Sequence, residues 1–185
     1  MKKLIFFGCS LLILFGCTGK SQEKMETVAA QTEKIDLNIG SMPKNFSAKT
    51  FDGSTFSSKD FEGKYWVIFV FEKNYLTKSE TYDMVAELNE THQKFGAKIP
   101  MVGLLNGFED DQAGLKILVE QAKFKFKLVN NTQSPDKELA VDDNIICTPA
   151  KIIIDPSGKV LYNGCGGKTQ TIDLKLDSIV REAKL

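Results

Sequence analysis

Thr148 to Tyr162 reads TPAKIIIDPSGKVLY, and the fold turns on this stretch. Residues 150–154 are a short run dominated by β-branched side chains, which suits an extended strand better than a helix. Asp155-Pro156-Ser157-Gly158 follows, with proline and glycine where a type I turn accepts them. Residues 159–162 resume an extended pattern, so the stretch is a β-hairpin.

Upstream, residues 64–71 (KYWVIFVF) are apolar, aromatic and β-branched almost throughout, as in a strand buried on both faces. Thr77-Lys78-Ser79-Glu80 has the capping-box spacing, threonine and then glutamate three later. It predicts a helix with an apolar stripe of Tyr82, Val85, Leu88 and Phe95 that stops at Gly96. Residues 98–105 are a second buried strand. Residues 111–123 are a second helix, with Leu115, Leu118, Val119 and Ala122 along one side. Residues 124–129 alternate Phe and Lys as a half-exposed strand does. Beyond the hairpin, Thr171 caps a last helix that turns Ile172, Leu176, Ile179, Val180 and Ala183 inward. This order specifies an α/β fold: one central mixed sheet with helices on both faces.

The N-terminus has a different character. Met1-Lys2-Lys3 is a short basic segment, and residues 4–15 (LIFFGCSLLILF) are an apolar run of about a dozen residues, well short of the roughly 20 that span a bilayer. Leu14-Phe15-Gly16-Cys17, followed at once by polar residues, resembles the lipobox of bacterial lipoproteins. That resemblance implies a signal peptide over residues 1–16, removed on export, and lipid attachment at Cys17. Cys9 belongs to the removed segment. Residues 17–39 are the lipidated cysteine and a tether rich in Gln, Glu, Lys, Thr and Ala. As a flexible coil of about 22 residues it averages roughly 25 Å end to end. Residues 40–185 form the folded domain.

Cleavage before Cys17 leaves 169 residues with 22 basic and 24 acidic side chains, enough chain for one domain with a full core. The near-balanced charge offers nothing to a nucleic acid. The membrane is expected as a partner through the lipid on Cys17, on the extracytoplasmic side of the cell envelope. Thr18 in place of aspartate after the lipidated cysteine points to an outer membrane, where the organism has one.

Five pieces in order carry a second resemblance: Gly40-Ser41-Met42-Pro43, then Phe51-Asp52-Gly53, Phe61-Glu62-Gly63-Lys64, Thr148-Pro149 and the Asp155–Gly158 hairpin. Together they resemble the membrane-anchored redoxins, thioredoxin-like thiol–disulfide oxidoreductases and their peroxiredoxin relatives. The resemblance spans residues 40–183. It implies a thioredoxin-like fold, a cis Pro149, and a CxxC at the start of the first helix, whose N-terminus lowers the thiol pKa. Tyr75 and Lys78 stand at the two cysteine positions of Tyr75-Leu76-Thr77-Lys78, and residues 64–96 contain no cysteine. Neither a phenol nor an amine performs thiol exchange.

Cys147 lies two residues before Pro149, and Cys165 lies just past the other hairpin arm. Closing the Asp155–Gly158 turn puts Cys147 opposite about position 166, so a Cys147–Cys165 disulfide is within reach. Three readings stay open for the pair: a structural staple, a redox couple relocated to the hairpin, or two free thiols. Gly164, Gly166 and Gly167 beside Cys165 point to a close backbone approach. The expected function is a redoxin-like envelope lipoprotein with atypical or lost thiol–disulfide activity. Its alternative is a non-catalytic module that binds an extended peptide or protein partner in a groove of Tyr75, Lys78, Thr148 and Pro149.

No cofactor or metal is implied. His92, the single histidine, falls near the polar side of the first helix, and Glu109-Asp110-Asp111 suits a helix N-terminus.

Overall fold

A computed structural model describes residues 33–132, 141–143 and 147–185. The segments expected to be signal peptide, lipidated Cys17 and tether lie outside the described residues as far as residue 32.

Five strands form the central sheet: β4 (Trp66–Glu72), β5 (Met101–Asn106), β6 (Lys127–Asn130), β8 (Ala150–Ile154) and β9 (Val160–Cys165), in the order β6-β5-β4-β8-β9. β4, β5 and β6 run parallel, whereas β8 is antiparallel to β4 and β9. Three short strands lie outside this sheet. β1 (Glu33–Ile35) pairs with β7 (Val141–Asp143), and β2 (Ser47–Lys49) pairs with β3 (Thr55–Ser57). The helices are α1 (Met84–Phe95), α2 (Gln112–Ala122) and α3 (Gln170–Glu182).

The pleat of β4 sorts its side chains to two cores. Trp66, Ile68 and Val70 join Val102, Leu104, Ala150, Ile152 and Ile154 on one side. Val67, Phe69 and Phe71 join Leu105 and Ile153 on the other, where Leu88 of α1, Leu115 of α2, and Ile172 and Leu176 of α3 pack. Among the described residues the first core is closed not by a helix but by the N-terminal segment, through Ile35, Leu37, Phe46 and Phe56.

Ile35 and Leu37, ahead of the Gly40 expected to open the domain, are wholly buried in the first core. The low apolar content of that segment hid two residues that the sheet needs to cover its face. The same segment guards the β9 edge, where the Gly40 amide donates to Val160 O and the Val160 amide to Ser41 O.

Three element boundaries differ from the sequence pattern. α1 opens at Met84, not near Thr77, and Asp83 caps it by accepting from the Ala86 amide at 2.9 Å. α3 opens at Gln170 with Thr169 at its N-cap, ahead of Thr171. β6 begins only at Lys127; Phe124 and Phe126 precede it and pack their rings on Phe71 and Phe69. Phe and Lys alternate there because of aromatic packing, without ladder hydrogen bonds.

A candidate redox site at the cis-proline hairpin

Ala150 opens β8 directly after Pro149, and the Thr148–Pro149 peptide is cis, as the family resemblance implied. Cys147 precedes it, half-buried against the first core. Across the hairpin, β9 ends on Cys165, which is exposed. The two are joined in a disulfide with a Cα–Cα distance of 5.8 Å.

The register differs from simple closure of the turn. Asp155 N pairs with Lys159 O, and the ladder shifts again at Leu161, between the Ile154↔Val160 and Ile153↔Tyr162 pairs. A longer loop and one bulged residue therefore bring Cys165, not Asn163, opposite Ala150. The amide of Gly166 then donates to Pro149 O at 3.0 Å, so the ladder reaches the cis-proline itself.

The glycines around Cys165 have separate reasons. Gly166 takes φ +95°, a conformation side chains disfavour. A Cβ on Gly167 would come within 2.4 Å of the Tyr82 ring. The Tyr82 ring thus lies against this backbone. Its hydroxyl is buried with no bonding partner among the described residues, and burial pushes its pKa up to about 12.

Lys151, two residues past the cis-proline, is 3% exposed, and its Nζ donates to Gly166 O. Burial pulls its pKa down to about 8, opposed by the charge of Glu87. Glu87, in the first turn of α1, pairs with Lys168 at 2.8 Å and accepts from the amide and hydroxyl of Thr169 at the start of α3. Burial raises the Glu87 pKa, but these bonds outweigh it and leave the carboxyl below its ordinary range. Lys151 shows in the sequence only as a lysine inside an apolar strand. Its tie to Gly166 depends on the shifted register and could not be read there.

The segment that replaces CxxC is built differently from a helix start. Residues Lys73–Leu76 form a single 3-10 turn, with Tyr75 half-buried and packed on the helix-side core. Lys78 is exposed in the loop that follows. Ser79 and Tyr82 close a turn of their own: Ser79 N donates to Tyr82 O, and Tyr82 N donates to Ser79 Oγ. No helix N-terminus therefore serves positions 75 and 78. Thr148 is half-buried and Pro149 buried. Two depressions, of about 390 and 620 Å³, lie elsewhere, and neither is lined by Tyr75, Lys78, Thr148 or Pro149.

His92 is half-buried rather than solvated, its ring 5.6 Å from that of Phe126, and burial lowers its pKa. Asp111 caps α2 by accepting from the Gly114 amide, and Glu109 pairs with Lys73. Among the described residues no group of three or more His, Cys, Asp or Glu side chains could hold a metal.

A mixed sheet with this order, a cis-proline before its fourth strand in chain order, and helices packed on it define a thioredoxin-like fold. The chain belongs to the AhpC/TSA family, whose pattern matches residues 39–163. No individually curated relative matches it. Among solved structures it is similar to the thioredoxin domain of a thiol-disulfide oxidoreductase from Bacteroides vulgatus, at 18% identity and TM-score 0.56, covering 78% of this chain and 99% of that one. It is also similar to the exposed lipoprotein thioredoxin of Streptococcus pneumoniae, at 16% identity and TM-score 0.53, covering 73% and 99%. A secreted disulfide oxidoreductase of Mycobacterium tuberculosis matches at 13% identity and TM-score 0.52, covering 72% and 95%. At these identities the likeness is one of fold.

Proposed function

We propose that this chain is an envelope redoxin, held to a membrane by lipid on Cys17, whose thiol–disulfide exchange runs through Cys147 and Cys165 in place of the CxxC position. The observation that carries this reading is an exposed cysteine bridged to a half-buried one beside the cis-proline. An exposed disulfide is open to attack by an external thiolate.

The step balances as ordinary exchange. A substrate thiolate attacks Cys165 Sγ, the Cys147–Cys165 bond breaks, and Cys147 leaves as a thiolate. A second substrate thiolate then attacks the substrate sulfur of the mixed disulfide and expels Cys165 as a thiolate. The substrate dithiol is oxidised to a disulfide and the Cys147–Cys165 pair is reduced. Protons released by the substrate thiols pass to water or to the new thiolates. Run in reverse, the reduced pair reduces a substrate disulfide.

A second reading is a peptide- or partner-binding module in which the disulfide is a staple. The packing of Cys147 against the first core favours it, since a sulfur held in apolar surroundings is a poor thiolate.

Turnover of a disulfide-bonded peptide by the purified chain, reduced beforehand with a thiol reductant, tests the exchange reading. Cys147→Ser should abolish turnover and trap a mixed disulfide at Cys165. A parent protein without turnover, or one unaffected by either cysteine substitution, would overturn it in favour of the binding module. For the anchor, cells given labelled palmitate should label the parent and not Cys17→Ser; equal labelling would refute lipidation there.

A further inference from the structure

Gly166 is held from two sides. Its amide donates to Pro149 O, two residues from Cys147, and its carbonyl accepts from Lys151 Nζ. The peptide next to Cys165 is thereby bonded to the strand that follows Cys147, independently of the sulfur–sulfur bond. Lys151 is a costly residue for that task. It is 3% exposed on an otherwise apolar strand, and no carboxylate among the described residues pairs with its ammonium. A buried ammonium without an ion-pair partner costs free energy that an apolar side chain of equal length would not. Its one described hydrogen bond goes to the backbone beside Cys165, so holding that backbone is what the cost secures.

We propose that Lys151 is the positioning residue of the Cys147–Cys165 pair: by gripping Gly166 O it keeps the two sulfurs close when the disulfide is open and so favours its closure. The proposal builds on the redox reading of the hairpin, yet it concerns the equilibrium of the pair itself. In the oxidised state the covalent bond already holds Cys165 near Cys147. In the reduced state the end of the β8–β9 ladder, at the Ala150↔Cys165 pair, and the two hydrogen bonds at Gly166 do so. Losing the lysine bond therefore loosens the reduced state more than the oxidised one. The effective concentration of one thiol toward the other falls, and the disulfide becomes easier to reduce.

The test is the equilibrium of the purified chain with reduced and oxidised glutathione, quenched by alkylation and read by mass spectrometry. Lys151→Met should shift it toward the dithiol by about tenfold, within the range expected for a lost charge-assisted hydrogen bond. Lys151→Gln, too short to reach the carbonyl, should shift it in the same direction. Lys151→Arg, which restores a cationic donor, should return it toward the parent value. Ile153→Val, on the same strand and face but away from Gly166, should lower stability and leave the equilibrium unmoved. A folded Lys151→Met or Lys151→Gln protein within twofold of the parent would overturn the proposal. So would an equal shift in Ile153→Val. A chain that exchanges with no protein substrate still has this equilibrium, so failure of the redox reading and failure of the lysine assignment are distinguishable.

Discussion

Lys151 and Cys165 bracket what one residue decides in this hairpin. The lysine titrates near 8 in the folded chain because burial disfavours its charge, against about 10.4 when unfolded. Between those values the unfolded chain holds more protons than the folded one, so folding stability rises with pH across that window. Measured by urea unfolding of the oxidised protein, the parent should gain about 2 kcal/mol on Lys151→Met between pH 8 and 10.5. A difference that stays flat across this range would mean that the ammonium is not buried. The sequence showed Cys147, Cys165 and Pro149 as candidates, because cysteine and X–Pro are legible as single letters. It did not show that Lys151 belongs with them. The contact passes through a backbone carbonyl on the opposing strand, and its register depends on a bulge at Leu161 that no residue type announces.

At the scale of an element, the start of α1 matters most. Thr77 and Asp83 both precede plausible helical sequence, and residue preference alone favours the capping-box spacing at Thr77. The structure chooses Asp83 because Ser79 and Tyr82 spend their backbone groups on a local turn, which closes residues 79–82 to the helix. The consequence is chemical. In a helix N-terminus, unpaired amides and the dipole stabilise a thiolate, whereas a 3-10 turn followed by a loop supplies neither. Tyr75→Cys with Lys78→Cys should therefore give thiols that titrate near the ordinary value of about 8.5 and add no exchange activity. A thiol in that double variant titrating below about 7 would show that position 75 still feels a helix N-terminus. The strands were more legible than the helix starts. Residues 66–71 are apolar throughout, residues 150–154 are apolar apart from Lys151, and both runs bury both faces, so their assignment needs no knowledge of neighbours.

Over the whole molecule, sequence order was enough to place five strands and three helices in one α/β sheet, and the resemblance to the redoxins implied its thioredoxin-like arrangement. Hydrophobic period sets each element, and connection rules leave few ways to assemble them. The N-terminal cover was less visible. Ile35 and Leu37 are two apolar residues in a polar stretch, and only the completed sheet shows the face they fill. The domain as a whole keeps the redoxin scaffold, and its described cysteines are confined to one end of the β8–β9 hairpin. Whether that pair exchanges electrons is set by its reduction potential, measured on the purified chain in thiol buffers. The redox account predicts a value above about −250 mV, in the range of exchange catalysts. A value below about −300 mV, that of a structural staple, would contradict it and leave the binding module as the function of this fold.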